Sequence, residues 1–268
     1  MKKERIQTIL CIVLSIGVIV TLSLGIMKSK KDKEKLLESK KKYEESITLT
    51  SKTEEVSKPK EENKSQVEKF ILEGKSLLSL GDGVSKESTY QEKLKVLLKL
   101  KSVTNKADNG LVMKNMNNYI NKEDLKDTDV VIIMVGTNDY TTGRNLGSIS
   151  DEVSTESFYG DVQAVINAVK EAKPDVNLIF LTPLKHGYIE GQPSYPDKNN
   201  IGIGLEDYSK AIKEVCDKNS IPVIDLFNKS GIEAENITEY TVNNMILNEA
   251  GNEKVAKTIS ESLKEIYK

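Results

Sequence analysis

The sequence has a single histidine, two cysteines, no tryptophan and only 5 % aromatic residues. Each scarcity excludes something. Two cysteines make neither a disulfide framework nor a zinc pattern. Cys11 falls in an apolar run and Cys216 in an amphipathic stretch, where both read as small packing groups. With one histidine, His186, a metal would have to rely on carboxylates such as Asp82 and Asp139, so neither a metal nor another cofactor is expected. The absence of tryptophan argues against a deep aromatic platform for sugars, although ten tyrosines remain. Charge of one sign is also missing. The 39 basic and 41 acidic residues leave a net charge of −2, which gives no global reason to expect nucleic acid as a partner.

What is present first is a long apolar run. After a short tail, residues 1–7, residues 8–27 read TILCIVLSIGVIVTLSLGIM without a charge. Such a run spans about 30 Å of hydrocarbon as a helix. A cleaved signal peptide is the competing reading, but no A-x-A-like site follows, and Cys11 lies too near the start of the run for a lipoprotein cleavage site. An uncleaved membrane anchor is therefore expected. Lys2, Lys3 and Arg5 precede the span, while Lys28, Lys30, Lys31, Lys33 and Lys35 follow it. Counting positive charges alone would place the C-terminal side inside. A short tail ahead of a first span usually stays inside, as in signal-anchored bacterial envelope proteins. The expected location is thus the cell membrane, with the globular part extracytoplasmic.

Residues 28–66 are dominated by Lys, Glu and Ser. Lys33 to Glu45 suits a solvated helix with i,i+4 ion pairs. Ser46 to Ser65 has too little apolar surface to offset its ordering entropy. A charged, partly disordered spacer is the reading; a short coiled coil is the alternative, without a sustained heptad behind it.

From residue 67 to 268 short apolar runs alternate with amphipathic stretches. Strands are expected at Ser76–Leu80, Ser102–Asn105, Val130–Val135, Leu178–Leu181 and Ile221–Leu226. Helices are expected at Tyr90–Leu98, Phe158–Lys173, Leu205–Asn219 and Ala250–Tyr267. The run VVIIMV is apolar throughout, as a strand buried on both faces should be. This alternation predicts an α/β three-layer sandwich, a central parallel sheet flanked by helices. Ligands then bind beyond the C-terminal ends of the strands.

The segments at those ends are Gly81-Asp82-Gly83, Asn105 to Gly110, Gly136-Thr137-Asn138-Asp139, and Asn243 to Gly251 before the last helix. Singly each reads as a turn or cap. Together, in this order, they resemble the SGNH/GDSL hydrolases, a family of esterases and acylhydrolases with a flavodoxin-like fold. In that family the serine of G-D-S is the nucleophile. A block-two glycine and the asparagine of G-x-N-D help form the oxyanion hole, and D-x-x-H supplies the base and its orienting acid. Gly81 and Asp82, Gly110, and Gly136, Asn138 and Asp139 match. The serine position is Gly83, the aspartate position Asn243 and the histidine position Ile246, while Leu247, Asn248 and Gly251 fit the last block.

Those departures remove the chemistry as a set. Glycine offers no nucleophilic atom, and isoleucine cannot accept a proton. An aspartate without its imidazole would leave a partly buried charge unpaired, and Asn243 is its neutral near-isostere. No catalytic triad is intact. The backbone N–H groups of Gly83 and Gly110 and the Asn138 amide remain able to converge on an acceptor oxygen, or else merely satisfy their turns. Asp82 and Asp139 read as supports. Ser85 and His186 form an alternative, displaced catalytic pair, against which stand a turn serine and an exposed loop histidine. Lys185 to Gly204 is long enough to be a lid or binding loop, with Tyr188 and Tyr195 available to stack on a sugar or to pack the loop down. Three functions follow: a pseudo-hydrolase that binds a cell-envelope glycan or a protein partner, an active O-acyl (acetyl) esterase using a non-standard site, or a structural scaffold.

Overall fold

The computed structural model describes residues 72–267. The tail, the apolar run at 8–27 and the charged stretch at 28–66 lie outside the described residues. Among the described residues no helix is long and apolar enough to cross a membrane.

Five strands form one sheet: β1 (Ser76–Gly81), β2 (Ser102–Asn105), β3 (Val130–Met134), β4 (Asn177–Leu181) and β5 (Val223–Ile224), in the order β2-β1-β3-β4-β5. Every pairing is parallel. The central strand β3 is buried at all five positions. Its side chains alternate between two cores, as a pleated strand requires. Val131 and Ile133 join Val162, Val165, Ile166, Val169, Ile212 and Val215 on one face. Val130, Ile132 and Met134 join Leu94, Leu98, Val255, Ile259 and Leu263 on the other. Each such aliphatic side chain contributes about 1.5–3 kcal/mol on full burial, so this strand anchors both cores. The expected α/β architecture, a parallel sheet with helices on both faces, is what these contacts build.

The helices belonging to the two cores are, in chain order, α1 (Gly83–Glu87), α2 (Tyr90–Leu97), α3 (Lys122–Lys126), α4 (Thr137–Thr142), α5 (Phe158–Ala172), α6 (Leu205–Lys218), α7 (Leu226–Lys229), α8 (Ile237–Tyr240) and α9 (Glu249–Ile266), with a 3-10 turn at Met113–Tyr119. Two sequence expectations change. The last strand is only Val223–Ile224 instead of Ile221–Leu226. Pro222 has no N–H for a ladder, and Asp225 turns the chain into α7 by accepting the Asn228 N–H at 3.2 Å. The loops after β1 and β3 are not loops throughout, because each opens directly into a short helix, α1 and α4.

Candidate functional site

The end of β1 sets the first part of the site. Asp82 caps α1 by accepting the Val84 N–H at 3.1 Å, the expected use of an aspartate at an N-cap. It is buried, and its Oδ2 has no hydrogen-bond partner. Burial pushes its carboxyl up to about 7, against the pull of the Val84 N–H. Gly83 is the first residue of α1. A Cβ added there would lie 2.9 Å from Asn109 Oδ1. Ser85 is fully buried, its hydroxyl 2.9 Å from the Tyr90 hydroxyl. It packs directly on the β1 end, since a Cβ on Gly81 would fall 2.4 Å from Ser85 Oγ.

The segment after β2 is stapled to α1. Asp108 N–H donates to the Gly81 carbonyl at 2.9 Å. Asn105 Nδ2 donates to the Ser85 carbonyl at 2.8 Å. Asp108 accepts from Lys86 Nζ and from the Tyr119 hydroxyl, both at 2.7 Å. The Lys86 bond comes first among the contacts that hold its carboxyl at about 2. Asn109 Nδ2 donates to Glu87 Oε1 at 3.0 Å. Gly110 has a φ of +72°, with open space where a Cβ would be.

The end of β3 then ties to the same segment. Gly136 has a φ of +140°, and a Cβ there would come within 2.8 Å of the Pro183 ring; only glycine fits. Asn138 Nδ2 donates to the Leu111 carbonyl at 3.0 Å. Both oxygens of Asp139 receive the Met113 N–H, at 3.0 and 3.2 Å. Asp139 is fully buried, and burial pushes its carboxyl up to about 7, with Met113 N–H opposing and the charges of Asp161 and Asp82 adding. Asn138 and Asp139 therefore brace the 111–113 segment immediately after Gly110, with one Asn138 amide hydrogen left over.

The last segment closes on itself. Thr241 and Leu247 form an antiparallel bridge. Asn243 Oδ1 accepts the N–H groups of Met245 and Ile246 at 3.3 and 2.8 Å. Leu247 N–H donates to Ser88 Oγ at 3.3 Å and Thr89 N–H to Asn252 Oδ1 at 2.7 Å, which joins this segment to the α1–α2 turn. Ile246 is half-buried.

His186 follows β4. It is 2 % exposed, with Nδ1 3.2 Å from the Gly187 carbonyl and Nε2 without a partner. Its ring meets the Tyr140 ring edge-on at 5.9 Å. Burial lowers its proton affinity, favouring neutral imidazole. The next residues clamp the last segment: Gly187 N–H donates to the Asn244 carbonyl at 2.8 Å, and Asn244 Nδ2 to the Tyr188 carbonyl at 2.9 Å. Ser85 and His186 thus have separate hydrogen-bond partners. In the 185–204 segment Tyr195 packs edge-on to Phe227 at 5.3 Å, with Lys185 Nζ over both rings, whereas Tyr188 is 70 % exposed.

The structure brings Gly83 against the Gly110 segment, that segment against Asn138 and Asp139, and Leu247, just after the Asn243–Ile246 turn, against Ser88. Sequence reasoning missed Asn109, Glu87 and Asp108, for which only their nearness to Gly83 and Gly110 gave any signal. Among the described residues no three His, Cys, Asp or Glu side chains group as metal ligands.

Comparison with known proteins places this architecture. A GDSL-like lipase/acylhydrolase family model matches residues 74–254. No curated protein matches the chain. Solved structures do. A protein from Lactobacillus plantarum is 20 % identical with a TM-score of 0.65, over 72 % of this chain and 98 % of its own. A lipase/acylhydrolase from Enterococcus faecalis is 19 % identical, TM-score 0.54, over 72 % and 97 %. An acetyl xylan esterase from Geobacillus stearothermophilus is 16 % identical, TM-score 0.53, over 72 % and 96 %. At these identities the structures share the fold, and the family match covers most of the chain: it belongs to the GDSL-like lipase/acylhydrolase family.

Proposed function

We propose that this protein is a membrane-held GDSL-type domain that binds at the cell envelope and does not hydrolyse esters. The observation that carries the reading is the trio Gly83, Asn243 and Ile246 at the nucleophile, acid and base positions. Acyl transfer needs a nucleophile and a base within hydrogen-bond reach of each other, and these side chains supply neither. Asn243 adds to the case, because its oxygen is spent on the Met245 and Ile246 N–H groups.

The donor side of the site supports a binding role. The Gly83 and Gly110 N–H groups and the second Asn138 amide hydrogen suit a carbonyl or carboxylate oxygen. A ligand of that chemistry is an acyl-bearing envelope glycan or an acidic group of a protein partner. The uncharged apolar run at 8–27 is long enough to supply the anchor.

The test is an assay of the unaltered full-length protein on p-nitrophenyl acetate. The expected result is no turnover above a heat-denatured control. Turnover that disappears on Ser85→Ala or His186→Ala overturns the reading in favour of an esterase with a displaced site. Protease accessibility of the domain in intact cells tests the topology, and protection from protease sinks the extracytoplasmic assignment.

A further inference from the structure

The nucleophile's place is not simply empty. A Cβ on Gly83 would sit 2.9 Å from Asn109 Oδ1, so the end of that side chain has to turn aside to admit it. Asn109 is not there by chance orientation. Its Nδ2 donates to Glu87 Oε1 at 3.0 Å, which turns its carbonyl oxygen toward Gly83. Its backbone is fixed as well, by Asn109 N–H to Asp108 Oδ1 at 3.0 Å and by Asp108 N–H to the Gly81 carbonyl at 2.9 Å. Lys86 holds the same Asp108 oxygen at 2.7 Å. Both ends of the contact therefore hang from α1 and the β1 end.

We infer that Asn109 is a fourth element of the silenced site: its carboxamide, tethered by Glu87, occupies the space that a side chain at position 83 needs. Loss of the nucleophile and refilling of its slot are then coupled. Serine restored at 83 brings its Cβ against Asn109 Oδ1 in every rotamer, so the Asn109 carboxamide must turn and give up its Glu87 bond. Asn109 acts on position 83 by position alone and touches no reacting group. This inference rests on the proposed loss of the triad, and its main test does not depend on that reading.

The test is a set of melting curves for four full-length proteins: unaltered, Gly83→Ala, Asn109→Ala and the double variant. Gly83 lies at the start of a helix with no positive φ. Alanine there should stabilise by restricting the unfolded chain. In the Asn109→Ala background, Gly83→Ala is expected to raise Tm by about 1–3 °C. With Asn109 in place the gain is expected to vanish or reverse. Equal shifts in both backgrounds overturn the inference.

A second arm reads the chemistry. Gly83→Ser, Asn243→Asp and Ile246→His are combined with and without Asn109→Ala, and labelling by a fluorophosphonate is followed by mass spectrometry. At least tenfold faster labelling at position 83 when Asn109 is trimmed supports the inference. Equal, rapid labelling of both overturns it and leaves the family alignment standing. Should neither label while both melt cooperatively, the triad assignment fails, and the melting cycle alone decides the role of Asn109.

Discussion

Asn243 Oδ1 accepts the Ile246 N–H at 2.8 Å, so the two residues that we propose stand at the acid and base positions are joined within their own turn. With isoleucine at 246 there is no imidazole to orient, and the Asn243 side chain serves as a turn-former. Asn243→Ala is therefore expected to destabilise the domain by about 1 kcal/mol, the usual worth of one such bond. Asn243→Asp keeps an acceptor oxygen for the Met245 and Ile246 N–H groups and should stay within about 0.5 kcal/mol of the unaltered protein. Urea unfolding of the two variants checks this. Equal losses would mean that the oxygen does not hold the turn.

Gly251 lies in the first turn of α9 under a backbone carbonyl. A Cβ there would lie 2.1 Å from the Tyr240 oxygen and 3.0 Å from Leu247 Cδ2. Helix propensity alone favours alanine over glycine by about 1 kcal/mol. The clash reverses that sign, because the obstacle is backbone and the same carbonyl accepts the Asn248 N–H at 3.0 Å. Gly251→Ala is expected to cost roughly 2 kcal/mol or more, a fall in Tm of about 4–8 °C for a domain of this size. An unchanged Tm would show that α9 can slide away from α8 at little cost.

The sequence revealed those parts that are long or strongly patterned. VVIIM had to be a doubly buried strand, and the helices at 158–172 and 205–218 carry enough turns to show a face. The short helices at 83–87 and 137–142 have too few residues for any period, and their caps look like turn residues. That matters for the site. Ser85 lies two positions past Gly83, which in extended chain suggests the same neighbourhood. In a helix each residue advances about 100°, and Ser85 is turned onto β1, where Gly81 leaves room for it. Gly136 was legible because its place is fixed by a backbone demand, a φ of +140°. Asn109 was not, because nothing in an Asn-Gly pair tells where the asparagine side chain reaches.

Asp82 and Asp139 give the domain a pH dependence whose sign follows from their burial. Both carboxyls are pushed up to about 7, chiefly by burial, from an ordinary value of 3.8. Between those values the folded protein holds protons that the unfolded chain has released. The stabilisation is complete below about pH 4 and is lost as pH rises through about 7, after which it levels off. Each group contributes on the order of a few kcal/mol at most across that window. Asp82→Asn keeps an oxygen for the Val84 N–H and removes one titrating group. It also removes a charge that raises Asp139, so the remaining carboxyl titrates lower. Urea unfolding at pH 4.5, 5.5, 6.5 and 7.5 is expected to show stability falling with pH in the unaltered protein. In Asp82→Asn the fall should be less than half as steep, because buried His186, held neutral in the folded state, opposes it in both proteins below its ordinary 6.5, with the variant the more stable of the two at pH 7.5. A slope that Asp82→Asn leaves untouched would mean that Asp82 is ionised throughout, and that its unpartnered Oδ2 is compensated by something other than a proton.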